Sequence, residues 1–455
     1  MTITSVNPHD PADVIGEWPT ADEAGVAAVV GRATAAAREW AGVAAPARAA
    51  ALGNAASALA DRAGELTELV IREVGKPRSE AAGEVARGVA ILRYYAQLAL
   101  LPDGETIPAA SPATLLLARH RPVGVAALIT PWNFPVAIPL WKAAPSLAFG
   151  NATVLKPPGA ATGVALLLHE IVAPHLPAGV FQLVLGDAGP GRALADHPDV
   201  AAVSFTGSVP VGREVVARVA ARGGRVQAEM GGQNASIVLA GADFGRAATA
   251  IAYAAMGYAG QKCTATSRIL VEDAAYEEFR GALVDAVGAL GVVGPGDDKT
   301  LVGPVISERA RSSALTAVGQ AGGRVLAGGT AVDAPGYYLA PTLVELDRPA
   351  GPLATEEVFA PVAALLRVPS AEAAVEIANG VRYGLVASVF TRDLSQALTL
   401  TDQLDAGMVR VNAPTSGVDF QAPFGGAKES SYGPREQGLA ARDFYTETRT
   451  VTIVP

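Results

Sequence analysis

Short runs of β-branched residues alternate with helical segments over much of this 455-residue chain, and this alternation limits the possible folds more than any other feature. The runs begin at Val123 and continue with others that end near residues 155, 184 and 205. Such alternation is typical of βαβ units around a parallel sheet, where ligands bind at the carboxyl ends of the strands. We therefore predict an α/β fold.

The same alternation restarts after Gly232. An apolar run at 235–239, a helix near 244–258, a second run at 268–271 and a helix near 274–290 follow in order. A chain of this length is sufficient for about two or three domains. We therefore predict two α/β domains that meet near residues 229 to 234.

Three segments do not follow this alternation. Residues 21–100 carry apolar side chains at helical spacing, which predicts two or three amphipathic helices. Residues 114–121 and 448–454 have the character of strands but no partner nearby in the sequence. We expect these two strands to pair with each other or with a second subunit.

The composition argues against several classes of function. A net charge of −9 argues against a nucleic-acid surface, and no apolar stretch approaches the ~20 residues that cross a bilayer. The N-terminus shows no secretory signal, and a single cysteine excludes an internal disulfide, which fits a reducing cytoplasm. The five histidines lack metal-ligand spacing, so we expect no metal.

The single cysteine, Cys263, lies among glycines and small polar residues in the segment 257–268. A thiol is a useful nucleophile only as the thiolate, in a site that is partly open and electropositive. An inert cysteine usually lies among Val, Ile and Leu. The surroundings alone leave both a reactive nucleophile and a buried thiol open.

Two further side chains lie where strands end. Asn133 lies in a loop between Pro131 and Pro135, where its amide could donate to a developing oxyanion or cap a rigid turn. Glu229 ends a strand and precedes Gly231 and Gly232. It is a candidate general base, and the alternative is an ordinary solvated surface charge.

A glycine-containing turn at 205–212 closes a strand and opens a helix. Its glycines would let a diphosphate approach the N-terminus of the helix. The sequence is not a Walker loop, because Gly212 is followed by Arg213 and Glu214 instead of Lys and Ser or Thr, and it does not match the usual G-x-G-x-x-G. A purely structural turn is therefore the alternative.

Several short motifs, in order along almost the whole chain, resemble the signature of the aldehyde dehydrogenase superfamily. They are Pro131 to Pro135, Lys156-Pro157, Phe205 to Ser208, Glu229 to Gly232, Gly260 to Cys263, Glu357 to Val362 and Pro423 to Gly426. The stretches 260–268 and 414–438 are similar to the 2,5-dioxopentanoate (α-ketoglutarate semialdehyde) dehydrogenase branch.

The resemblance implies a role for each catalytic residue. Cys263 would attack the aldehyde carbonyl, and the Asn133 amide with the backbone N–H of Cys263 would hold the oxyanion. Glu229 would activate the water that hydrolyses the resulting thioester to a carboxylic acid. Lys142 and Glu436 would support this base through a proton relay.

The resemblance also implies NAD or NADP as the cofactor. Lys156 would contact the adenosine ribose, and Gly207 and Ser208 the diphosphate. At Gly159, NAD-preferring relatives commonly carry an acidic residue, so we expect NADP to be accepted because no carboxylate opposes Lys156. The full set is Ile129, Thr130, Pro131, Trp132, Lys156, Gly159, Gly207, Ser208, Gly212, Glu357 and Phe359.

The implied architecture has three parts. A Rossmann-like cofactor domain is expected from residues 1–108 and 123–231, and a catalytic α/β domain from residues 232–423. A small β oligomerisation element would comprise residues 109–122 and 424–455 and would form a homodimer or homotetramer.

The expected substrate is a carboxylated semialdehyde, although the sequence identifies no arginine to anchor its carboxylate. An aliphatic or aromatic aldehyde is the alternative substrate. A coenzyme A-acylating relative would typically lack Glu229, and a cysteine hydrolase would need a histidine partner. A non-enzymatic family member would not need Cys263, Glu229 and Asn133 together.

Overall fold

The computed structural model describes residues 2–292 and 302–455, so residues 293–301 of the predicted catalytic domain lie outside the described residues. The strands are β1 Thr2–Asn7, β2 Asp10–Pro19, β3 Gly104–Ile107, β4 Leu115–Pro122, β5 Val125–Ile129, β6 Ala152–Lys156, β7 Phe181–Leu183, β8 Val200–Thr206, β9 Arg225–Glu229, β10 Asn234–Val238, β11 Thr266–Glu272, β12 Arg324–Ala327, β13 Thr342–Leu346, β14 Val362–Val368, β15 Tyr383–Gly384, β16 Val386–Phe390, β17 Met408–Val411, β18 Ala427–Lys428, β19 Ser431–Tyr432 and β20 Thr446–Ile453. The α-helices are α1 Glu23–Gly42, α2 Ala45–Asp61, α3 Ala63–Val74, α4 Arg78–Leu98, α5 Ala137–Ala148, α6 Thr162–Val172, α7 Ala188–Asp196, α8 Val209–Ala221, α9 Phe244–Met256, α10 Tyr276–Gly288, α11 Glu308–Gly319, α12 Pro352–Thr355, α13 Ala371–Asn379, α14 Leu394–Gln403 and α15 Ala440–Tyr445.

The first sheet has six strands in the order β19-β9-β8-β5-β6-β7. The five strands from β9 to β7 are parallel, and β19 is an antiparallel edge strand. The direction of the winding reverses between β5 and β8, which creates a crevice at their carboxyl ends. The chain leaves that edge at Ile129 and Thr206, next to two of the predicted cofactor segments.

The second sheet has seven strands in the order β12-β13-β14-β11-β10-β16-β17. Only β12 is antiparallel to its neighbour. Cys263 and Phe359 lie just before the amino ends of β11 and β14. We expected the carboxyl edge to carry the functional residues. The predicted site segments lie at the carboxyl edge of the first sheet but at the amino edge of the second.

Residues 21–100 form four helices rather than the two or three that we predicted. Breaks in the helical pattern account for the difference. Pro46 lies in the first turn of α2, a position where its missing N–H costs no hydrogen bond. Gly75 takes a left-handed conformation, with φ of 74°, and ends α3 two residues before Pro77.

The two strands without a local partner do pair with each other. β20 runs antiparallel to β4 over the full length of both strands, and β3 adds a third strand at the other side of β4. β3 lies before the predicted boundary at residue 108, and β19 places part of 424–455 in the first sheet. The predicted boundaries therefore do not coincide with the limits of the sheets.

Each parallel sheet is covered by helices on both faces, and the side chains between them are almost fully buried. The strands β5, β6, β10 and β16 are buried along their whole length, as expected for central strands of a parallel sheet. Among the described helices, none combines the length and the apolar character needed to cross a membrane.

Candidate active site

The loop after β5 places Asn133 against the cysteine segment of the second domain. The buried Asn133 side chain donates from Nδ2 to the carbonyl oxygen of Gln261 at 2.9 Å. An amide carries two N–H groups, so one remains for a ligand. Asn133 Oδ1 and the nearby Thr130 Oγ1 are both buried and have no hydrogen-bond partner.

The turn before Cys263 has an unusual backbone. Tyr258, Ala259 and Gly260 all have positive φ, at 52°, 50° and 66°. At Gly260 a Cβ atom would lie 2.0 Å from the carbonyl oxygen of Ala360, so only glycine fits there. Two non-glycine residues in the left-handed region are costly, and such strain is concentrated at functional sites. The turn presents Cys263 as a partly exposed thiol.

The charged side chains that act on the Cys263 thiol are carboxylates. Desolvation, together with the negative charges of Glu357 and Glu229, raises the pKa of the thiol to about 12. The backbone N–H groups of Cys263 and Thr264 act in the opposite direction, because they face the sulfur. The thiol is therefore protonated near neutral pH and needs a base.

Glu229 is buried at the end of β9, which excludes the alternative of a solvated surface charge. Burial raises its pKa well above the usual value, and the negative charge of Glu436 adds to this effect. A hydrogen bond of 2.6 Å from Ser431 Oγ and the positive charge of Lys142 partly offset the shift. A buried carboxylate with a raised pKa is typical of a general base.

Lys142 and Glu436 form a fully buried ion pair close to Glu229. The remaining acceptor positions of Glu436 are filled by Ser204 Oγ at 3.1 Å, Gln227 Nε2 at 3.1 Å and Trp141 Nε1 at 2.7 Å. Lys142 also donates to Ser204. A buried pair is held only when its remaining hydrogen-bonding positions are satisfied, as they are here.

The crevice between β5 and β8 has the features of a dinucleotide site. Ser208 is the N-cap of α8, but its side chain does not bond to the helix, so the N-terminal amide groups are left for an anion. The unpartnered Thr130 Oγ1 lies where Ile129 ends β5. Gly212 has a different reason to be glycine, because a Cβ there would lie 2.5 Å from Met230 Sδ.

Glu357, Phe359 and Trp132 border the same crevice from both domains. Burial raises the pKa of Glu357 to about 7, partly offset by the N–H of Gly232, which donates to its carboxylate at 3.1 Å. Phe359 has a positive φ of 57° and contacts the edge of Trp132 with ring centres 5.7 Å apart. These three members of the predicted cofactor-binding set therefore lie close to one another.

The adenosine end of the crevice differs from the expectation in one respect. Lys156 is buried at the end of β6, and its ammonium donates at 2.7 Å to the carbonyl oxygens of Pro157 and Gly186. A Cβ atom at Gly159 would lie 3.1 Å from Asp187 Oδ1. We expected no carboxylate near Lys156, whereas one reaches this place from a different loop.

A cavity of about 420 Å³ reaches Cys263. Arg87 lines it, and its guanidinium donates to the carbonyl oxygen of Val418. We found no such arginine from the sequence, because α4 gives no local sign of what it packs against. We also did not identify Asp187 and Ser431 from the sequence, because both contact segments that are distant in the chain. The walls of the cavity also include Phe134, Trp141, Tyr253, Pro414 and Phe424.

Comparisons with known proteins agree with this geometry. The sequence model of the aldehyde dehydrogenase family matches residues 1–451. The chain is 40% identical to the alpha-ketoglutaric semialdehyde dehydrogenase of Bacillus subtilis, over 99% of this chain and 94% of that protein. It is 41% identical to the alpha-ketoglutarate semialdehyde dehydrogenase of Haloferax volcanii, over 99% and 95%.

The solved structures give the same result. A putative methylmalonate-semialdehyde dehydrogenase from Sinorhizobium meliloti, complexed with NAD, superposes with a TM-score of 0.96 at 32% identity. The match covers 100% of this chain and 94% of that one. The chain therefore belongs to the aldehyde dehydrogenase family, whose members oxidise aldehydes with NAD or NADP.

Proposed function

We propose that this enzyme oxidises a carboxylated semialdehyde such as 2,5-dioxopentanoate to the dicarboxylic acid. The observation that carries the choice of substrate is Arg87 in the wall of the cavity that ends at Cys263. Its guanidinium bonds to a neutral backbone carbonyl, and none of the described carboxylates pairs with it. A guanidinium with unused donors suits a carboxylate.

The other charged groups of the cavity are already compensated. Glu80 accepts a hydrogen bond from the Tyr253 hydroxyl at 2.8 Å, and its negative charge acts on the nearby Lys262. Glu84 pairs with Lys76 below the cavity wall. Arg87 is thus the charge that remains for the substrate, and the names of the relatives support the same choice.

The first chemical step falls to Cys263. Its sulfur attacks the carbonyl carbon, and the thiol proton passes to Glu229, whose charge already influences the thiol. The free N–H of Asn133 and the backbone N–H of Cys263 would hold the oxyanion, an arrangement whose loss typically costs about 10²–10³ in rate. The nicotinamide supplies the acceptor for the hydride that leaves the carbonyl carbon.

Glu229 also serves the second step. After its proton has been released, its carboxylate takes a proton from water, and the hydroxide attacks the thioester carbon to give the acid and free Cys263. Lys142 and Glu436 are positioning residues in this scheme, because their charges shift the pKa of Glu229. Glu357 and Phe359 would hold the nicotinamide ribose, and Lys156 the adenosine ribose.

The test of the nucleophile uses Cys263→Ala. We expect aldehyde oxidation to fall to background, while NAD binding measured by calorimetry stays within about threefold of the unmodified enzyme, because the thiol contributes chemistry rather than affinity. An active variant would refute the mechanism.

The test of the substrate class uses Arg87→Met with 2,5-dioxopentanoate and pentanal. Loss of a charge-assisted hydrogen bond is expected to lower kcat/KM for the semialdehyde by about 10–100-fold and to leave pentanal nearly unchanged. Arg93→Met, an exposed arginine on the same helix, is the matched control. If uncharged aldehydes are better substrates than every semialdehyde for the unmodified enzyme, the substrate proposal fails.

For the assembly, we propose a homodimer or homotetramer that forms through the three-stranded sheet. The support is an exposed apolar patch where β4 begins and β20 ends, with Leu115, Ile453 and Val454 at 44%, 51% and 66% exposure. Light scattering tests this, because the unmodified chain should be a dimer or tetramer and the Leu115→Arg variant should weaken that assembly. An unmodified chain that is a monomer would refute the proposal. We propose the cytoplasm as the compartment, because the reaction needs a reduced cysteine.

We retain the three-part division as a proposal. Residues 1–108 and 123–231 would bind the cofactor, residues 232–423 would supply the nucleophile, and residues 109–122 and 424–455 would bridge subunits. The sheet connections of β3 and β19 suggest that both boundaries of the bridging element are shared with the cofactor domain.

A further inference from the structure

Asp187 and Gly159 come from different loops at the carboxyl edge of the first sheet and lie next to each other. Gly159 follows β6, and Asp187 immediately precedes α7. A Cβ atom on Gly159 would lie 3.1 Å from Asp187 Oδ1 and 3.0 Å from Ile3 Cγ2. A side chain at position 159 would therefore be in tight contact with the carboxylate of Asp187, which would have to shift by a few tenths of an ångström.

The Asp187 carboxylate does not cap the helix that it precedes. Its side chain makes no capping hydrogen bond to α7, and the residue is exposed. An aspartate at this position would usually accept a bond from the first turn of the helix. The carboxylate is thus free to meet a ligand.

Lys156 connects the loop that carries Asp187 to the cofactor crevice. Its ammonium donates to the carbonyl oxygen of Gly186, the residue just before Asp187. Burial lowers the pKa of Lys156 to about 8, and the negative charge of Asp187 acts in the opposite direction. The lysine ends the second strand of the βαβ unit, which is where a dinucleotide-binding sheet meets the adenosine ribose.

We infer that Asp187 makes this enzyme prefer NAD to NADP. The carboxylate accepts a hydrogen bond from the 2′-hydroxyl of the adenosine ribose and repels a 2′-phosphate. Gly159 alone would favour NADP, because Lys156 would then face the phosphate unopposed. Asp187 reverses that expectation, since a carboxylate within a few ångströms outweighs the absence of one at position 159.

The same contact explains why position 159 is glycine. An acidic residue there would place a second carboxylate against Asp187 and push against Ile3. Two like charges at that distance disfavour each other's ionised form. A second acidic group at this point is therefore disfavoured, and the acidic group present comes from the loop before α7.

Calorimetric titration of the enzyme with NAD and with NADP tests the inference without any aldehyde. We expect the unmodified enzyme to bind NAD at least about tenfold more tightly than NADP. Asp187→Asn should tighten NADP binding about tenfold and weaken NAD binding no more than about threefold, because the amide still accepts a hydrogen bond. Higher salt should narrow the difference between the two proteins.

The matched control is Asp199→Asn, an exposed aspartate of the same domain at the opposite, amino edge of the sheet. It should change neither dissociation constant by more than about twofold, because its charge is screened at that distance. An unmodified enzyme that binds NADP as tightly as NAD would overturn the inference, as would equal effects of the two variants. Neither outcome depends on which aldehyde is oxidised.

Discussion

Two fully buried lysine–glutamate pairs flank the active site, and they differ in what surrounds them. The pair of Lys76 and Glu84 lies among aromatic rings, with the Lys76 ammonium 3.7 Å from the ring centre of Phe134 and 4.4 Å from that of Tyr258. The pair of Lys142 and Glu436 lies among hydroxyl, amide and indole donors next to Glu229. Burial is the same for both, so their neighbours must decide their roles.

The first pair holds two loops in place. Phe134 belongs to the loop that carries Asn133, and Tyr258 to the turn that presents Cys263. Glu84 Oε1 accepts from the backbone N–H groups of Val136 and Ala137 at 2.8 and 3.0 Å, which are at the start of α5. The second pair instead sets the charge around the general base. One pair determines geometry and the other determines protonation.

The largest expected effect is on stability, from Lys76→Met. The substitution leaves Glu84 as a buried charge without its cation, and breaking such a pair costs about 3–5 kcal/mol. The midpoint of urea unfolding should fall accordingly, whereas the acid limb of the pH–rate profile should keep its position. Arg192→Met, which breaks an exposed pair with Glu214, should leave the midpoint almost unchanged, because solvent screens such a pair. Equal midpoints for the two variants would show that the buried pair is not structural.

The second prediction concerns pH dependence and separates the two pairs. Glu229 acts as a base only when deprotonated, so a higher pKa moves the acid limb of kcat to higher pH. Lys142→Met removes a positive charge and should move this limb up by about one pH unit, and Glu436→Gln removes a negative charge and should move it down by about as much.

The measurement is the pH dependence of kcat for each variant, under conditions where hydrolysis of the thioester limits turnover. Lys76→Met serves as the control, because it removes a buried cation without direct contact with Glu229. Shifts in the same direction for Lys142→Met and Glu436→Gln would mean that the pair acts through packing rather than charge.

The sequence predicts those parts of the fold and site that depend on nearby residues. The apolar runs predict the strands β5, β6, β8 and β10. The predicted site motifs lie in the turns at the ends of these strands. The pairing of β4 with β20 is also confirmed, since neither strand has a nearer partner. Local patterning therefore predicts the elements and the general position of the site.

The missed features all depend on contacts between distant segments. Arg87 reaches the cavity because α4 packs against the loop that carries Val418. Asp187 meets Gly159 only when two loops fold side by side, and Ser431 meets Glu229 only through the pairing of β19 with β9. The spacing of residues within one segment does not indicate such contacts. Each contact nevertheless changes the electrostatic surroundings of a predicted residue or of the cavity.

The smallest expected effect comes from Ser431, which donates to Glu229 Oε2 at 2.6 Å and lowers its pKa. Ser431→Ala removes a bond that favours the charged carboxylate. Ser431 is partly exposed, so water should take over part of the bond, and the acid limb should rise by about half a pH unit. Ser431→Thr keeps the hydroxyl and should leave the limb in place. A limb that is unmoved in Ser431→Ala would show that burial and the neighbouring charges set the pKa of Glu229 without this hydrogen bond.

The same bond links Glu229 to stability. Because the pKa of Glu229 in the folded protein lies above its ordinary value of 4.5, the folded state binds the proton more tightly than the unfolded chain does. The stability that this proton contributes is complete below pH 4.5 and is lost as the pH rises through the pKa of the folded state. Ser431→Ala raises that pKa further, so its urea midpoint should fall by more than that of Ser431→Thr as the pH rises from 4.5 through the pKa of the folded state.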